Sequence, residues 1–212
     1  MLRSTDCFPQ IVAALKALHA LPHIHRSFDI FGDFRVFAAE ALALGGSLPP
    51  YLNELEKVAD RFHNALARSG APMAFLHGDL VPQNMILTSR GIQFVDFDYC
   101  GTGMIAADLA IVCSQAELGA QQTDRLLRLY DPDLDDAQRA RILGIQFINT
   151  LREISWSCAA QRKVAEGTKL FGDWSYEYHA RINRELAARI LQAHSVEELE
   201  QAMAWVRPGA LF

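Results

Sequence analysis

Acidic and amide side chains are closely spaced in the middle of this chain, beside short apolar runs. Asp79 follows the apolar run 73–76, Asn84 comes five residues later, and Asp96 and Asp98 follow a second apolar run. A carboxylate in a loop can position or deprotonate a hydroxyl group, and amide and carboxylate oxygens are suitable ligands for Mg²⁺. We therefore predict phosphoryl transfer from MgATP, with Asp79 as the catalytic base or hydroxyl positioner. Asn84 and Asp96 are predicted to bind the metal, and Asp98 to be a further ligand or a supporting acid.

A short hairpin is predicted to position the two metal ligands. Residues 84–88 and 92–95 have the composition of strands, and residues 89–91 between them are predicted to form a three-residue turn. Asn84 and Asp96 would then lie at the open end of one hairpin, although they are twelve residues apart in the chain.

His77 begins the loop that carries these side chains, and we expect it to form hydrogen bonds within the loop and hold its shape. Each part also has an ordinary structural interpretation. A Gly78-Asp79 pair is usually a turn, residues 96–98 could be a solvated strand end, and a single histidine is usually a local hydrogen-bond partner. The parts in this order are far more specific than any one of them. The spacing from acid to amide equals that of the kinase catalytic loop H-R-D-x-x-x-x-N.

The elements around this loop are predicted to be mostly helical, which gives an α+β fold around one small β element. A strand is predicted over 73–76, and helices over 9–20, 34–44, 51–69, 104–118, 121–130, 135–161, 174–191 and 196–205. We expect a single domain over residues 1–212. Its catalytic loop and metal hairpin would occupy residues 75–100, and its helical acceptor-binding part residues 104–205.

The composition excludes several other classes of function. The chain has 212 residues, of which 50% are hydrophobic, and a net charge of −5 without a basic stripe. Neither disorder nor nucleic-acid binding is therefore expected. No run approaches the ~20 apolar residues of a membrane span. The four cysteines form no C-x-x-C pair, which indicates reduced thiols rather than a metal site. We expect a soluble cytoplasmic protein that binds neither membranes nor nucleic acids.

Three segments of the chain resemble the aminoglycoside phosphotransferase and choline kinase superfamily. Residues 77–87 match its pattern H-G-D-x-x-x-x-N-[IVM]-[IL], residues 94–98 match [IV]-D-[WF]-[ED], and residues 107–110 match D-[LI]-A. Residues 95–101 are closer to the choline and ethanolamine kinase branch, in which an acid and an aromatic residue follow the metal-binding Asp. The helix that contains His19 is similar to the L-x-x-L-H segment that opens the C-terminal lobe of this family.

The resemblance implies the same roles for the catalytic acid and the metal ligands, with Mg²⁺ as cofactor and ATP as cosubstrate. It further implies that Asp108 is a buried structural acid that braces the catalytic loop. An ordinary acid at a helix N-terminus is the alternative interpretation of Asp108. Ile86 and Val95 would lie under the adenine ring, although both could equally be core residues of their strands. The fold implied is the C-terminal lobe of a protein-kinase-like enzyme.

The other lobe of such an enzyme, which covers and grips the phosphates, is not recognised in the sequence. Gly45-Gly46 lies between predicted helices and matches no phosphate-binding loop. The only lysines, all in helical or loop contexts, are Lys16, Lys57, Lys163 and Lys169. We therefore expect a C-terminal lobe whose N-terminal lobe is absent, through a fragment or misassigned start, a natural truncation, or a partner that supplies the other lobe. Such a chain should bind ATP poorly, should phosphorylate little, and should tend to self-associate through its exposed lobe face. Whether it is an active enzyme by itself is left open.

The acceptor implied by the choline kinase branch is a small cationic alcohol, which aromatic rings can hold by cation–π attraction. Glu153 and Trp156 are three residues apart and share one helix face. Trp174, Tyr176 and Tyr178 are further candidates for an aromatic cage, while packing in the core is the alternative role of these rings. An aminoglycoside, a less favoured acceptor, would need several acids, for which Asp173, Glu177 and Glu153 are candidates.

Two other classes of function compete with a kinase that acts on choline or ethanolamine. A non-catalytic module or truncated remnant would keep the acceptor pocket without using ATP. A metal-dependent phosphoesterase would need several His and Asp ligands around two metals, and only His77 lies near these acids in the sequence. A metal-dependent phosphoesterase is therefore disfavoured.

Overall fold

The computed structural model describes residues 5–164 and 174–205. In chain order the helices are α1 (Phe8–His19), α2 (Ile30–Ala43), α3 (Leu52–Ala67), α4 (Ile105–Gln115), α5 (Ala120–Tyr130), α6 (Asp136–Gln161), α7 (Tyr176–Ala193) and α8 (Val196–Ala204). The strands are β1 (Met73–Leu76), β2 (Met85–Thr88), β3 (Gly91–Phe94) and β4 (Gly101–Met104). The described chain is mostly helical with few strands, as the sequence predicts.

Two compact units make up the described chain. The first lies within Met1–Phe28 and Gly70–Ile142, and the second within Asp29–Ser69 and Leu143–Phe212. All four strands belong to the first unit, together with α1, α4, α5 and the start of α6. The single domain expected over 1–212 stays a prediction, and each unit is described here by itself.

The strands of the first unit form two antiparallel pairs. Strand β1 pairs with β4, from Met73 opposite Met104 to Leu76 opposite Gly101. Strand β2 pairs with β3, and the predicted hairpin is therefore present. Its turn is shorter than the predicted three residues, because Gly91 is already paired with Thr88 across the hairpin. Gly91 has a φ of +107°, which a residue without a Cβ adopts readily.

Strand β4 was not predicted, because glycines at alternate positions hide a strand pattern. The structure gives a steric reason for glycine at both positions, 101 and 103. A Cβ on Gly101 would lie 2.8 Å from the backbone nitrogen of Phe28, and one on Gly103 would lie 2.7 Å from Leu76 Cδ1. The segment before Asp29 therefore packs directly on β4, and Phe28 donates its N–H to the carbonyl of Thr102 at 2.9 Å.

Helix α2 of the second unit begins four residues before the predicted start at Phe34. Asp29 caps it, since its Oδ1 accepts a hydrogen bond from Phe31 N at 3.1 Å. Gly32 and Asp33 lie in the first turn of this helix, and both have low helix propensity. They therefore conceal the start of the helix in the sequence.

Each unit buries its own apolar side chains. Phe8, Ile11, Leu15 and Leu76 are fully buried in the first unit. In the second unit Phe62 and Phe147 are fully buried and meet edge to face, with their ring centroids 5.3 Å apart. The four cysteines all lie in the described part of the chain and are free thiols. No helix among residues 5–164 and 174–205 is long and apolar enough to cross a membrane.

Candidate active site

The loop after β1 is fixed by one buried carboxylate. Asp108, on α4, is fully buried, and its two oxygens accept hydrogen bonds from the backbone nitrogens of His77 and Gly78, each at 2.9 Å. His19, at the end of α1, also donates through Nε2 to Asp108 Oδ2 at 3.1 Å. Two buried N–H groups at a bend would otherwise lack partners, so Asp108 stabilises the shape of the loop.

Glycine is the only residue type that fits at position 78, in the bend itself. Its φ is +79°. A Cβ there would lie 2.6 Å from the carbonyl oxygen of Tyr99 and 2.7 Å from the ring of Phe28. Both the backbone conformation and the lack of space therefore require glycine between His77 and Asp79.

His77 is fully buried and links the loop to the hairpin. Its Nε2 donates to the carbonyl oxygen of Val95 at 2.9 Å, and its Nδ1 accepts from Asp79 N at 3.3 Å. A carbonyl can only accept, so these contacts require the proton on Nε2. The ring also lies against Phe97, with centroids 4.5 Å apart. These contacts are those expected of a residue that holds the loop shape.

Asp79 and Asn84 are brought together by a short 3₁₀ turn over Pro82–Asn84. Asn84 Nδ2 donates to the backbone oxygen of Asp79 at 2.9 Å and lies 3.4 Å from its carboxylate Oδ2. Asn84 is buried, whereas Asp79 is half-buried. With Nδ2 engaged, the amide Oδ1 of Asn84 is the atom suited to a metal ion.

Asp96 follows β3 at the open end of the hairpin, as predicted. Val95 donates its N–H to the carbonyl of Asn84 at 3.1 Å, so Asn84 lies opposite the residue before Asp96. Asp96 has a φ of +66°, in the left-handed region, and its side chain is exposed. Such a conformation costs about 1 kcal/mol or more for a residue with a Cβ, and it is found most often at functional sites.

Asp98 is also exposed, and its backbone oxygen accepts a hydrogen bond from Arg26 Nη1 at 2.7 Å. Sequence reasoning did not identify Arg26. In the described residues, no group of three or more His, Cys, Asp or Glu side chains is arranged to hold a metal. Asn84, Asp96 and Asp98 carry amide and carboxylate oxygens, which are the ligand types that suit Mg²⁺, an ion usually bound by one or two carboxylates together with substrate phosphates. Their role as metal ligands stays a prediction.

Ile86 and Val95, the residues predicted to lie under adenine, are exposed apolar side chains of the hairpin region. Ile86 is 47% exposed and Val95 37% exposed. The alternative interpretation of both as core residues is therefore wrong. Phe97, at 39% exposed, adds a third apolar side chain to this region.

The predicted acceptor residues lie in the second unit. Trp156 and Trp174 each contact Tyr176, with ring centroids 5.4 Å apart in both pairs. Both indoles also contact the imidazole of His179, at 5.8 and 5.5 Å. The four rings form the aromatic cluster, defined as Trp156, Trp174, Tyr176 and His179. His179 was missed, although its position three residues after Tyr176 on a helix could have indicated it.

Glu153 lies beside this cluster but is already paired. Its carboxylate accepts from His179 Nε2 at 2.9 Å and from Arg152 Nη1 at 2.7 Å. Arg152 also lies 3.5 Å from Asp33 Oδ2. Burial would raise the pKa of Glu153, but the hydrogen bond from His179 and the charge of Arg152 outweigh it and hold the pKa below its ordinary value. Glu177 is exposed, and Asp173 lies outside the described residues.

Comparison with known proteins identifies the family of this chain. The model of the phosphotransferase enzyme family (APH) matches residues 3–143, more than half of the chain. The chain belongs to this family. Its predicted resemblance to these kinases is thereby confirmed, and the match includes the catalytic loop, the hairpin and Asp108.

Among curated relatives, the protein LicA of Haemophilus influenzae is 27% identical over 61% of this chain and 49% of the relative. The thiamine kinase of Salmonella heidelberg is 33% identical over 32% of this chain and 31% of the relative. The chain thus spans about half or less of the length of these relatives. A choline/ethanolamine kinase family protein from Mesorhizobium loti has a similar fold, with a TM-score of 0.80, 18% identity, and coverage of 95% of this chain and 68% of that one.

Proposed function

We propose that this protein is a kinase that transfers the γ-phosphate of ATP to the hydroxyl group of a small cationic alcohol such as choline or ethanolamine. One observation carries the proposal. The Asn84 side chain donates to the backbone oxygen of Asp79 at 2.9 Å, and Asn84 lies opposite Val95, the residue directly before Asp96. The predicted proton acceptor and the two predicted metal ligands are therefore close neighbours in the chain fold, an arrangement that supports phosphoryl transfer.

Asp79 would orient the acceptor hydroxyl and accept its proton. The half-buried carboxylate follows a bend that Asp108 and Gly78 fix, so its backbone position is determined before any substrate binds. Asn84 Nδ2, at 3.4 Å, would help to hold the carboxylate in one orientation. A pre-positioned base of this kind typically accelerates a reaction by about 10²–10⁴-fold.

Asn84 and Asp96 would hold Mg²⁺, with Asp98 as a further ligand or supporting acid. When bound there with ATP, the ion would neutralise charge on the phosphates. The exposed side chains of Ile86 and Val95 would contact the adenine ring. Their exposure supports this role, because an apolar ligand gains most from side chains that are otherwise in water.

The aromatic cluster would hold the cationic end of the acceptor. Tryptophan and tyrosine rings attract cations, and the attraction grows to about 2 kcal/mol when the site is dry. Glu153 is paired with Arg152 and His179, so we assign it the role of positioning His179 rather than binding the cation directly. Choline and thiamine are both cationic alcohols, which makes thiamine an alternative acceptor in view of the thiamine kinase relatives. An aminoglycoside is less favoured.

The chain spans about half or less of the length of its curated relatives, so we expect the 212-residue polypeptide by itself to bind MgATP weakly and to turn over slowly.

A non-catalytic acceptor-binding module is the second candidate. The ring contacts of the aromatic cluster all lie within the second unit, whereas Asp79, Asn84 and Asp96 lie in the first. Cation binding thus needs no contribution from the ATP-side residues. Such a module would bind choline in the absence of nucleotide and metal.

Transfer of ³²P from [γ-³²P]ATP tests the proposal, with choline, ethanolamine, thiamine and an aminoglycoside offered separately to the full chain during long incubations. We expect slow transfer to a cationic alcohol that falls at least about 100-fold in Asp79→Asn. The control is Asp133→Asn, because Asp133 is an exposed acid of the same unit. Transfer unchanged in Asp79→Asn would refute the catalytic role. Choline binding without any transfer would favour the binding module, and rapid saturable turnover would refute the expectation of weak activity.

A further inference from the structure

A cavity of about 310 Å³ lies within the first unit, and none of the predicted site residues lines it. Helices α1, α4, α5 and α6 and the segment before β1 contribute to its walls. Most of the lining is apolar, including Pro72, Ile105, Leu109, Leu134 and Ile142. Its volume is at the lower end of the range for small-molecule sites.

The polar part of the lining carries more positive than negative charge. Lys16 and Arg141 are cations, and Asp131 is the one acid among the residues that line the cavity. Both carboxylate oxygens of Asp131 accept hydrogen bonds, one from Gln138 Nε2 at 2.9 Å and one from Asp133 N at 3.0 Å. Arg141 is 8% exposed, and Asp135, which does not line the cavity, offsets part of its charge. The lining itself keeps one more cation than acid, and it therefore suits an apolar body with one anionic group.

Tyr130 connects this cavity to the catalytic loop. Its hydroxyl lies 2.7 Å from His19 Nδ1, and His19 Nε2 donates to Asp108. The imidazole of His19 thus bridges the Tyr130 hydroxyl and the Asp108 carboxylate through its two ring nitrogens. Burial, together with the charges of Asp108 and Asp131, raises the pKa of Tyr130 to about 12, which keeps the hydroxyl protonated. Asp108 in turn holds the N–H groups of His77 and Gly78.

We propose that the cavity is a second ligand site, for a small amphipathic carboxylate, and that its occupancy alters the catalytic loop through Tyr130, His19 and Asp108. A ligand there contacts the Tyr130 side chain directly. It also contacts Leu109, the neighbour of Asp108 on α4. Binding at this site is independent of the proposed function. Only an effect of the bound ligand on phosphoryl transfer would rest on that function.

Octanoate is the probe for the binding step, measured with the full chain by isothermal titration calorimetry. We expect one saturable site that binds octylammonium and octanol at least about tenfold more weakly, since a charge-assisted contact contributes roughly this factor. Arg141→Gln should weaken octanoate about tenfold, and Leu134→Trp should abolish binding by filling the cavity. Octylammonium binding as tightly as octanoate, or octanoate binding unchanged in both folded variants, would overturn the proposal. If Leu134→Trp does not fold, Arg141→Gln decides alone.

The connection to the loop is tested by the imidazole NMR signals of His77 and His19 during octanoate titration. Both should shift in the unaltered chain. In Tyr130→Phe, which keeps the ring and removes the hydroxyl, octanoate should still bind while the shift of His77 is lost. A His77 signal that stays fixed in the unaltered chain, or that shifts equally in Tyr130→Phe, would refute the coupling. Because no turnover is measured, failure of the kinase assay leaves this result interpretable.

Discussion

Asp108 is a single carboxylate that joins two parts of the first unit, the loop at His77–Gly78 and the end of α1 at His19. Its two carboxylate oxygens accept three hydrogen bonds, from His19 Nε2 and from the backbone nitrogens of His77 and Gly78. An asparagine has only one acceptor oxygen, and its amide nitrogen would face an N–H donor. Asp108→Asn should therefore destabilise the chain by about 1–3 kcal/mol, the cost of leaving a buried donor unpaired.

Urea unfolding followed by circular dichroism measures this loss. Asp133→Asn is the matched control, because Asp133 is exposed, and it should change stability by less than about 0.5 kcal/mol. Equal stabilities of the two variants would show that the hydrogen bonds of Asp108 contribute little.

Asp96 combines a left-handed backbone with a predicted metal ligand, and two substitutions separate these properties. Asparagine adopts the left-handed conformation at least as readily as aspartate, whereas alanine does so at a cost of about 1–2 kcal/mol. Both Asp96→Asn and Asp96→Ala should lose binding of Mn²⁺, used as a paramagnetic probe in the presence of ATP. Only Asp96→Ala should also unfold more easily in urea. Metal binding retained in Asp96→Asn would argue against Asp96 as a ligand.

At the scale of elements, α7 carries two members of the aromatic cluster, Tyr176 and His179, and its start is fixed by a cap. Ser175 Oγ accepts a hydrogen bond from Tyr178 N at 3.2 Å. Ser195 caps α8 in the same way, through Glu198 N at 3.2 Å. Replacing either serine with alanine should lower the free energy of unfolding by about 1 kcal/mol, measured by thermal unfolding. Only Ser175→Ala should also weaken choline binding, because it loosens the turn that holds Tyr176. Equal choline affinities in the two variants would show that the start of α7 does not contribute to choline binding.

The elements also show what could be predicted from the sequence. Apolar runs and helical periodicity predict β1, the β2–β3 hairpin and most helices within a few residues. Strand β4 was missed because its glycines are required by close approach of Phe28 and Leu76, which are distant in the chain. His179 was not paired with Glu153 because the two are 26 residues apart in the chain and only the fold brings them together. Arg152 is the sequence neighbour of Glu153, and its charge could have indicated the pairing. Local spacing indicates the loop that contains Asp79 and Asn84, whereas long-range packing determines what surrounds it.

At the scale of the whole molecule, Glu153 should make stability depend on pH. Its pKa in the folded chain is lower than the ordinary value of 4.5. As the pH falls below that value, the unfolded chain takes up the proton first, so the contribution of Glu153 is present above pH 4.5 and is lost below it. Glu153→Gln should be less stable by about 1–3 kcal/mol at pH 7, because buried donors lose their carboxylate.

The difference between the unaltered chain and Glu153→Gln should therefore shrink as the pH is lowered from 5 towards 3. Tryptophan fluorescence is a suitable measurement, because all three tryptophans, Trp156, Trp174 and Trp205, lie in the second unit with Glu153. A difference that stays constant over this pH range would show that Glu153 is not held in its charged form by Arg152 and His179.

The pairing of Leu76 with Gly101 has a consequence for how this protein can vary. The chain leaves the β1–β4 pair at one point and returns to it at the same point, after the catalytic loop and the hairpin. The turn at residues 89–90 is the far end of this excursion, and both of its residues are exposed. Insertions at that turn would lengthen the hairpin without separating its ends. The hairpin surface would thus be free to diversify between relatives while the geometry of Asp79 and Asn84 stays constant.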